Sequence, residues 1–127
     1  MIPYLISILR GKYFVLGDRV YPVMIPQHGT FPAARLSENG DRPDGTKESV
    51  SQLNEHTLTL DLFGNSYKEL FELSDAIRTD LDRKHFQPTG ATYIADIAVD
   101  NMRDGGYEED KSLYHRIIDL TIYTKPH

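Results

Sequence analysis

The sequence predicts an α+β fold, a mostly antiparallel β-sheet with two α-helices packed on one face. Three observations carry that expectation. His56 to Phe63 alternates Leu58, Leu60 and Leu62 with Thr57, Thr59 and Asp61, the period-two signature of a half-buried strand. Ser66 to His85 repeats apolar residues at helical spacing. Segments 91–102 and 112–124 alternate in the same way as the first strand and flank Gly105-Gly106, a hairpin signal. A sheet with one apolar face and helices with one apolar stripe bury those surfaces against each other. At 127 residues the chain forms a single domain, 1–127.

The elements follow in the order α-β-β-loop-β-α-β-β. Residues 3–12 read as a short helix, with Pro3 in the first turn, a stripe of Tyr4, Leu5, Ile8 and Leu9, and Gly11 as a stop. Arg19 to Ile25 reads as a strand, and Pro22, which lacks a ladder donor, makes it an edge strand or a strand broken near its middle. A second strand is expected over 31–36. Glu38 to Glu48 has no apolar residue and is rich in Gly, Pro and charge, so 38–49 reads as a mobile loop. The central strand covers 53–63.

Ser66-Tyr67-Lys68-Glu69 forms a capping box that opens the second helix, 66–85. Tyr67, Leu70, Phe71, Ile77 and Leu81 are expected on its buried stripe, and Pro88 and Gly90 lie beyond its end. Tyr93, Ala95, Ile97 and Val99 share a face of the next strand, as do Ile118, Leu120 and Ile122 of the last. Between them, Asp100 to Asp110 is expected to form an acidic hairpin tip.

Charge and composition exclude several function classes. Fourteen basic and nineteen acidic side chains leave a formal charge of −5, the wrong sign for a general nucleic-acid binder. The absence of cysteine removes disulfides, thiolate nucleophiles and Cys-based metal sites. The N-terminal stretch lacks a basic region and a small-residue cleavage site, which argues against a signal peptide. No run is long and apolar enough to span a bilayer, so no membrane partner is expected, and the acidic balance argues against stable nucleic-acid binding.

No motif assembles a catalytic constellation. Gly40 to Lys47 resembles a phosphate loop, but Thr46 and Lys47 are in inverted order and no helix is expected after them. Asp100, Asp104 and Gly105 match three positions of a calcium loop, whereas Met102 and Lys111 occupy ligand positions. His28, His56, His85, His115 and His127 are too far apart in sequence for a local ligand pair. Ser66 stands between a strand and a helix, where capping accounts for its hydroxyl.

A family resemblance supplies what these patterns do not. Gly17-Asp18-Arg19-Val20-Tyr21-Pro22 follows the first helix, and Pro26 and Phe31-Pro32 lead into the second strand. Leu58 to Tyr67 runs a long strand into a capped helix, and Ile77-Arg78 to Leu81-Asp82 closes that helix. In order and spacing these pieces resemble the small tail-completion, or tail-terminator, proteins of long-tailed phages and prophages, over nearly the whole chain. The charged loop from Glu38 to Ser49 is longer than that family's pattern.

The resemblance implies a structural virion protein without catalytic residue, metal or cofactor. It implies a homo-oligomeric ring, usually a hexamer, that caps the tail tube and joins it to the head. The implied partners are further copies of itself, a tail tube protein and a head-completion protein, and the implied location is the virion tail, after synthesis in the host cytoplasm. Asp41, Arg42, Asp44 and Lys47 in the long loop, and Asp104, Tyr107, Glu108 and Glu109 at the hairpin tip, are the candidate subunit-interface or channel residues. A small-ligand-binding or regulatory α+β domain without catalysis is the alternative, and a small enzyme with an interfacial site the third reading; both require a pocket with convergent polar groups.

Overall fold

The computed structural model describes residues 5, 9–10, 19–22, 25, 31–43, 54–86, 93–109 and 112–126. Its elements are β1 (Val20–Pro22), β2 (Ala33–Pro43), β3 (Asn54–Gly64), α1 (Tyr67–Leu81), β4 (His85–Phe86), β5 (Tyr93–Glu108) and β6 (Leu113–Pro126). The six strands form one sheet in the order β1-β2-β3-β6-β5-β4. Neighbours pair antiparallel except β1 and β2, which are parallel.

The alternating leucines of β3 build the core. Leu58, Leu60 and Leu62 point to one face and are fully buried there with Leu36 of β2, Ile118, Leu120 and Ile122 of β6, and Ile97 of β5. Helix α1 covers this face with Leu70, Leu73, Ile77 and Leu81. Ser66 caps the helix, its hydroxyl accepting from the Glu69 N–H at 3.3 Å. As Pro22 indicated, β1 lies at an edge.

The expected pair of helices on one face needs correction: the described residues form a strand-dominated sheet with a single helix as an element. Of the first expected helix, 3–12, only Leu5, Leu9 and Arg10 are described; they are helical, and Leu5 and Leu9 reach the core. The rest lies outside the described residues.

Two stretches read as loops are strand. The first, 38–43, continues β2 and pairs with β3 from Glu38↔Leu58 to Pro43↔Asn54, past a bulge between Glu38 and Gly40. The second continues β5 through Glu108. Gly105 and Gly106 therefore lie in a strand at a register shift, with Gly106 at φ 104°, and the chain reverses later, beside Ser112 at φ 53°. A solvated strand needs only a backbone ladder to a neighbour, so it carries no apolar alternation to mark it.

Helix α1 stops at Leu81, short of the expected His85, and a short strand that the pattern does not show follows it. Asp82 is the C-cap and Arg83 takes a left-handed conformation at φ 63°. The Arg83 N–H then donates to the Ile97 carbonyl at 2.7 Å, and the Ile97 N–H donates to the Lys84 carbonyl at 2.9 Å. Two bonds from β5 thus draw the chain out of the helix and into β4. The buried stripe is also shifted: Leu73 and Ser74 are inside, whereas Tyr67 and Phe71 are 40% and 45% exposed.

Two substitutions test this account by chemical denaturation. Leu60→Ala opens a cavity at a fully buried site and is expected to cost about 2–5 kcal/mol. Ser66→Ala removes the cap acceptor and is expected to cost about 1 kcal/mol, without changing any property of the folded state beyond its stability.

Candidate functional site

Polar and aromatic side chains gather on both faces of the sheet where β3, β6 and β5 run side by side. Opposite residues of antiparallel strands share a face, so the register of β3 on β6 decides which groups meet. Leu62 faces Arg116 and Tyr114 faces Gly64 on the helix side, whereas Phe63 faces His115 and Asp61 faces Ile117 on the outer side.

On the outer face, Asp61 is the centre of an ion-pair cluster. Its carboxylate accepts from Arg35 Nε at 3.1 Å and Nη2 at 3.0 Å, and its other oxygen lies 2.7 Å from His115 Nε2. An ionised carboxylate only accepts, so Nε2 carries the proton. The His115 ring stacks on Phe63 with centroids 4.3 Å apart, and Arg35 lies over the same phenyl ring at 5.4 Å. Burial pushes the Asp61 carboxyl up, but hydrogen bonds from His115 and Arg35, with their charges, outweigh it and hold its pKa below the ordinary 3.8. Gly105 completes the enclosure, since a Cβ there would stand 2.2 Å from His115 Nδ1. Farther along this face, Asp119 accepts from Arg103 at 3.2 Å and from Thr59 at 3.4 Å.

On the helix side, Arg116 is the connector. It donates to Asp104 at 2.8 Å and to the Ser74 hydroxyl at 3.3 Å, and its guanidinium lies 5.0 Å from the Phe71 ring centre. Asp104 also accepts from the Tyr67 hydroxyl at 3.1 Å, and this hydrogen bond raises the Tyr67 pKa above 10.0. Tyr67 stands at the first position of α1 and meets Phe71 one turn on, at 6.1 Å, and Tyr114 of β6, at 5.6 Å. Tyr107 of β5 follows at 4.6 Å from Tyr114. Asn65 ties the helix entrance to the hairpin by donating to the Ser112 carbonyl at 3.0 Å.

The residues singled out in the sequence fall into separate places. Asp41 and Arg42 belong to β2, and Asp44 and Lys47 lie outside the described residues. Asp104 is bound to Arg116 and Tyr67, Tyr107 ends the aromatic row at 48% exposure, and Glu108 and Glu109 are exposed at the end of β5. Gly40 to Pro43, which resembled the start of a phosphate loop, is paired strand. Asp100 and Asp104, the calcium-loop pair, point to opposite faces, Asp100 binding Thr121 and Asp104 binding Arg116.

The described histidines take separate carboxylates, His56 with Glu38, His85 with Asp96 and His115 with Asp61, so they do not converge. Among the described residues no group of three His, Asp or Glu could hold a metal ion. Two hollows, of about 470 and 340 Å³, lie along the first turns of α1, lined by Ser66, Lys68, Glu69, Tyr67, Phe71, Glu72 and Leu73. They hold no histidine, and the Ser66 hydroxyl is occupied by the cap. The Asp61 cluster is joined by pairing across strands and had no local signal in the sequence, whereas of the aromatic row only the helical spacing of Tyr67 and Phe71 was visible there.

The strand-rich single sheet and its connected helix can be set beside known families. The family described as "Tail completion protein gp17" matches residues 7–125, nearly the entire chain. The chain belongs to that tail completion protein family. Comparison with curated proteins gives no match. As a phage tail completion protein, the chain belongs among structural components of the virion tail, which fits a site made of ion pairs and stacked rings.

Two measurements test the Asp61 cluster. The folded pKa of Asp61 lies below its unfolded value, so the unfolded chain binds more protons in acid. The resulting stability is fully present above about pH 3.8 and is lost as pH falls through the lower folded value. Asp61→Asn is expected to cost about 2 kcal/mol at neutral pH, a penalty that shrinks in acid, read from denaturation curves across pH. Gly105→Ala forces the His115 ring off Asp61 or Phe63 and is expected to cost about 1–3 kcal/mol.

Proposed function

We propose that this tail completion protein closes the tail tube as a homo-oligomeric ring and joins it to the head. The observation that carries the proposal is the family match across residues 7–125. The sheet's central side chains fit it: among the described residues Arg35 pairs with Asp61, Arg103 with Asp119 and Arg116 with Asp104. The subunit contacts the tail tube protein on one side of the ring and a head-completion protein on the other. Asp41, Arg42, Asp44, Lys47, Tyr107, Glu108 and Glu109 supply contacts between subunits or face the channel. A subunit of charge −5 suits a channel through which DNA slides without adhering.

Self-association of such subunits is opposed by their charge, and salt screens that opposition. Sedimentation at two salt concentrations is expected to show more ring at the higher one, and a labelled duplex is expected to sediment separately from it. A subunit that stays monomeric at every concentration, even with its tail tube protein, would refute the ring. In the virus, loss of the gene is expected to leave unjoined heads and tails, and supplying the protein is expected to restore joining.

A further inference from the structure

We propose that Asn39 is a site of spontaneous covalent modification, its side-chain amide converted by water to a carboxylate through a cyclic imide with Gly40. The chain has four asparagines, and the residues after them are Gly40, Glu55, Ser66 and Met102. Closing the imide requires the next residue's backbone nitrogen to reach the asparagine side-chain carbonyl carbon. Glycine brings no Cβ to obstruct that approach and bends freely. Chain order therefore puts Asn39 first, and the fold leaves it accessible. Asn39 is the extra residue of the β2 bulge: Glu38 pairs with Leu58 and Gly40 with Thr57, so no β3 residue is registered opposite Asn39. A bulged residue stands outside the ladder, and the strand bends there. Asn39 is also exposed. Asn54 and Asn101 by contrast stand opposite ladder partners, Thr124 and Asp119, and Asn65 precedes the serine that caps α1.

The reaction balances with water as the sole co-reactant. The Gly40 amide nitrogen, its proton passed to hydroxide, attacks Asn39 Cγ. The new N–Cγ bond closes a five-membered imide, and the Cγ–Nδ2 bond breaks as Nδ2 takes a proton and leaves as ammonia. Water then opens the imide at one of its two carbonyls. Opening at Cγ restores the ordinary backbone and leaves an aspartate. Opening at the backbone carbonyl leaves an isoaspartate, with the main chain running through the former side chain. Either product adds one negative charge to the formal −5.

The sheet gives this exchange a structural consequence. Asn39 Nδ2 donates to the Thr59 hydroxyl, Thr59 donates to Asp119 at 3.4 Å, and Asp119 accepts from Arg103 at 3.2 Å. These four side chains form a belt across β2, β3, β6 and β5. A carboxylate at position 39 only accepts, and Thr59 has a single proton, which it gives to Asp119. After the exchange two carboxylates compete for that proton, so one link of the belt opens. Isoaspartate also lengthens the main chain between Glu38 and Gly40, and the pairing of 40–43 with 54–57 loses its register. The inference holds whether or not the subunits form a ring.

The test holds the folded protein in mildly alkaline buffer, samples it over days and maps it by peptide mass spectrometry, with chromatography separating aspartate from isoaspartate. Asn39 is expected to be lost before Asn54, Asn65 and Asn101 and to give both products. Gly40→Ala is expected to slow the loss several-fold, because its methyl group obstructs ring closure. Asn39→Asp is expected to speed amide hydrogen exchange over 40–43 relative to the unmodified protein. A parallel incubation in denaturant measures the loss from the unfolded chain. A thermal melt checks that Gly40→Ala is folded; should it unfold, the order of loss among the four asparagines decides. Loss of Asn39 in denaturant alone, its survival beyond another asparagine in the folded protein, or equally fast loss in folded Gly40→Ala overturns the proposal. Unchanged exchange over 40–43 in Asn39→Asp overturns the consequence drawn for the belt.

Discussion

A one-residue slip of β3 against β6 would dismantle this molecule. Side chains alternate across a strand, so the slip would carry Leu58, Leu60 and Leu62 to the solvent and Thr59 and Asp61 into the core. Each exposed leucine forfeits about 1.5–3 kcal/mol, and Asp61 would enter an apolar layer without Arg35 or His115. The same register stacks His115 on Phe63 and brings Arg116 under the helix. Both polar clusters are therefore consequences of one pairing, chosen by the leucines.

The bulges of β5 determine which of its residues can join those clusters. Up to Val99 the odd-numbered residues Ala95, Ile97 and Val99 face the helix. The extra residue at Asp100 reverses the phase, so Met102 opposes Ile118 and Asp104 opposes Arg116 on the helix side. A second extra residue at Gly105 returns Tyr107 to the helix side, opposite Tyr114. Without the first bulge Asp104 would face away from Arg116; without the second, Tyr107 would not meet Tyr114. Gly105 has a further task, because it leaves room for the His115 ring.

What could be read in the sequence was what repeats locally. The leucine alternation of β3, the cap at Ser66 and the edge position of Pro22 each depend on neighbours within a few residues, and each is present in the structure. The continuation of β2 through Pro43 is maintained by its ladder to β3, which composition does not encode. Gly105-Gly106 resembles a turn, yet serves a bulge, since both use backbone that only glycine adopts easily. The candidate site was the least legible part. Arg35, Asp61 and His115 come from three strands and meet only through the sheet. Tyr67 and Phe71 have helical spacing but extend past the leucine face, over Tyr114 and Arg116.

The chain contains no tryptophan and eight tyrosines, so its near-ultraviolet spectrum is a tyrosine spectrum. Three of those tyrosines, Tyr67, Tyr107 and Tyr114, touch one another edge-on or tilted between the helix entrance and the β5–β6 hairpin. Rings held at fixed angles in contact share their electronic transitions, whereas freely rotating rings contribute little optical activity. This contact group therefore gives the protein a chromophore at one junction, added to the signal of its other five tyrosines. Circular dichroism in the tyrosine band registers whether the hairpin is seated on the helix, while the peptide band registers the sheet as a whole.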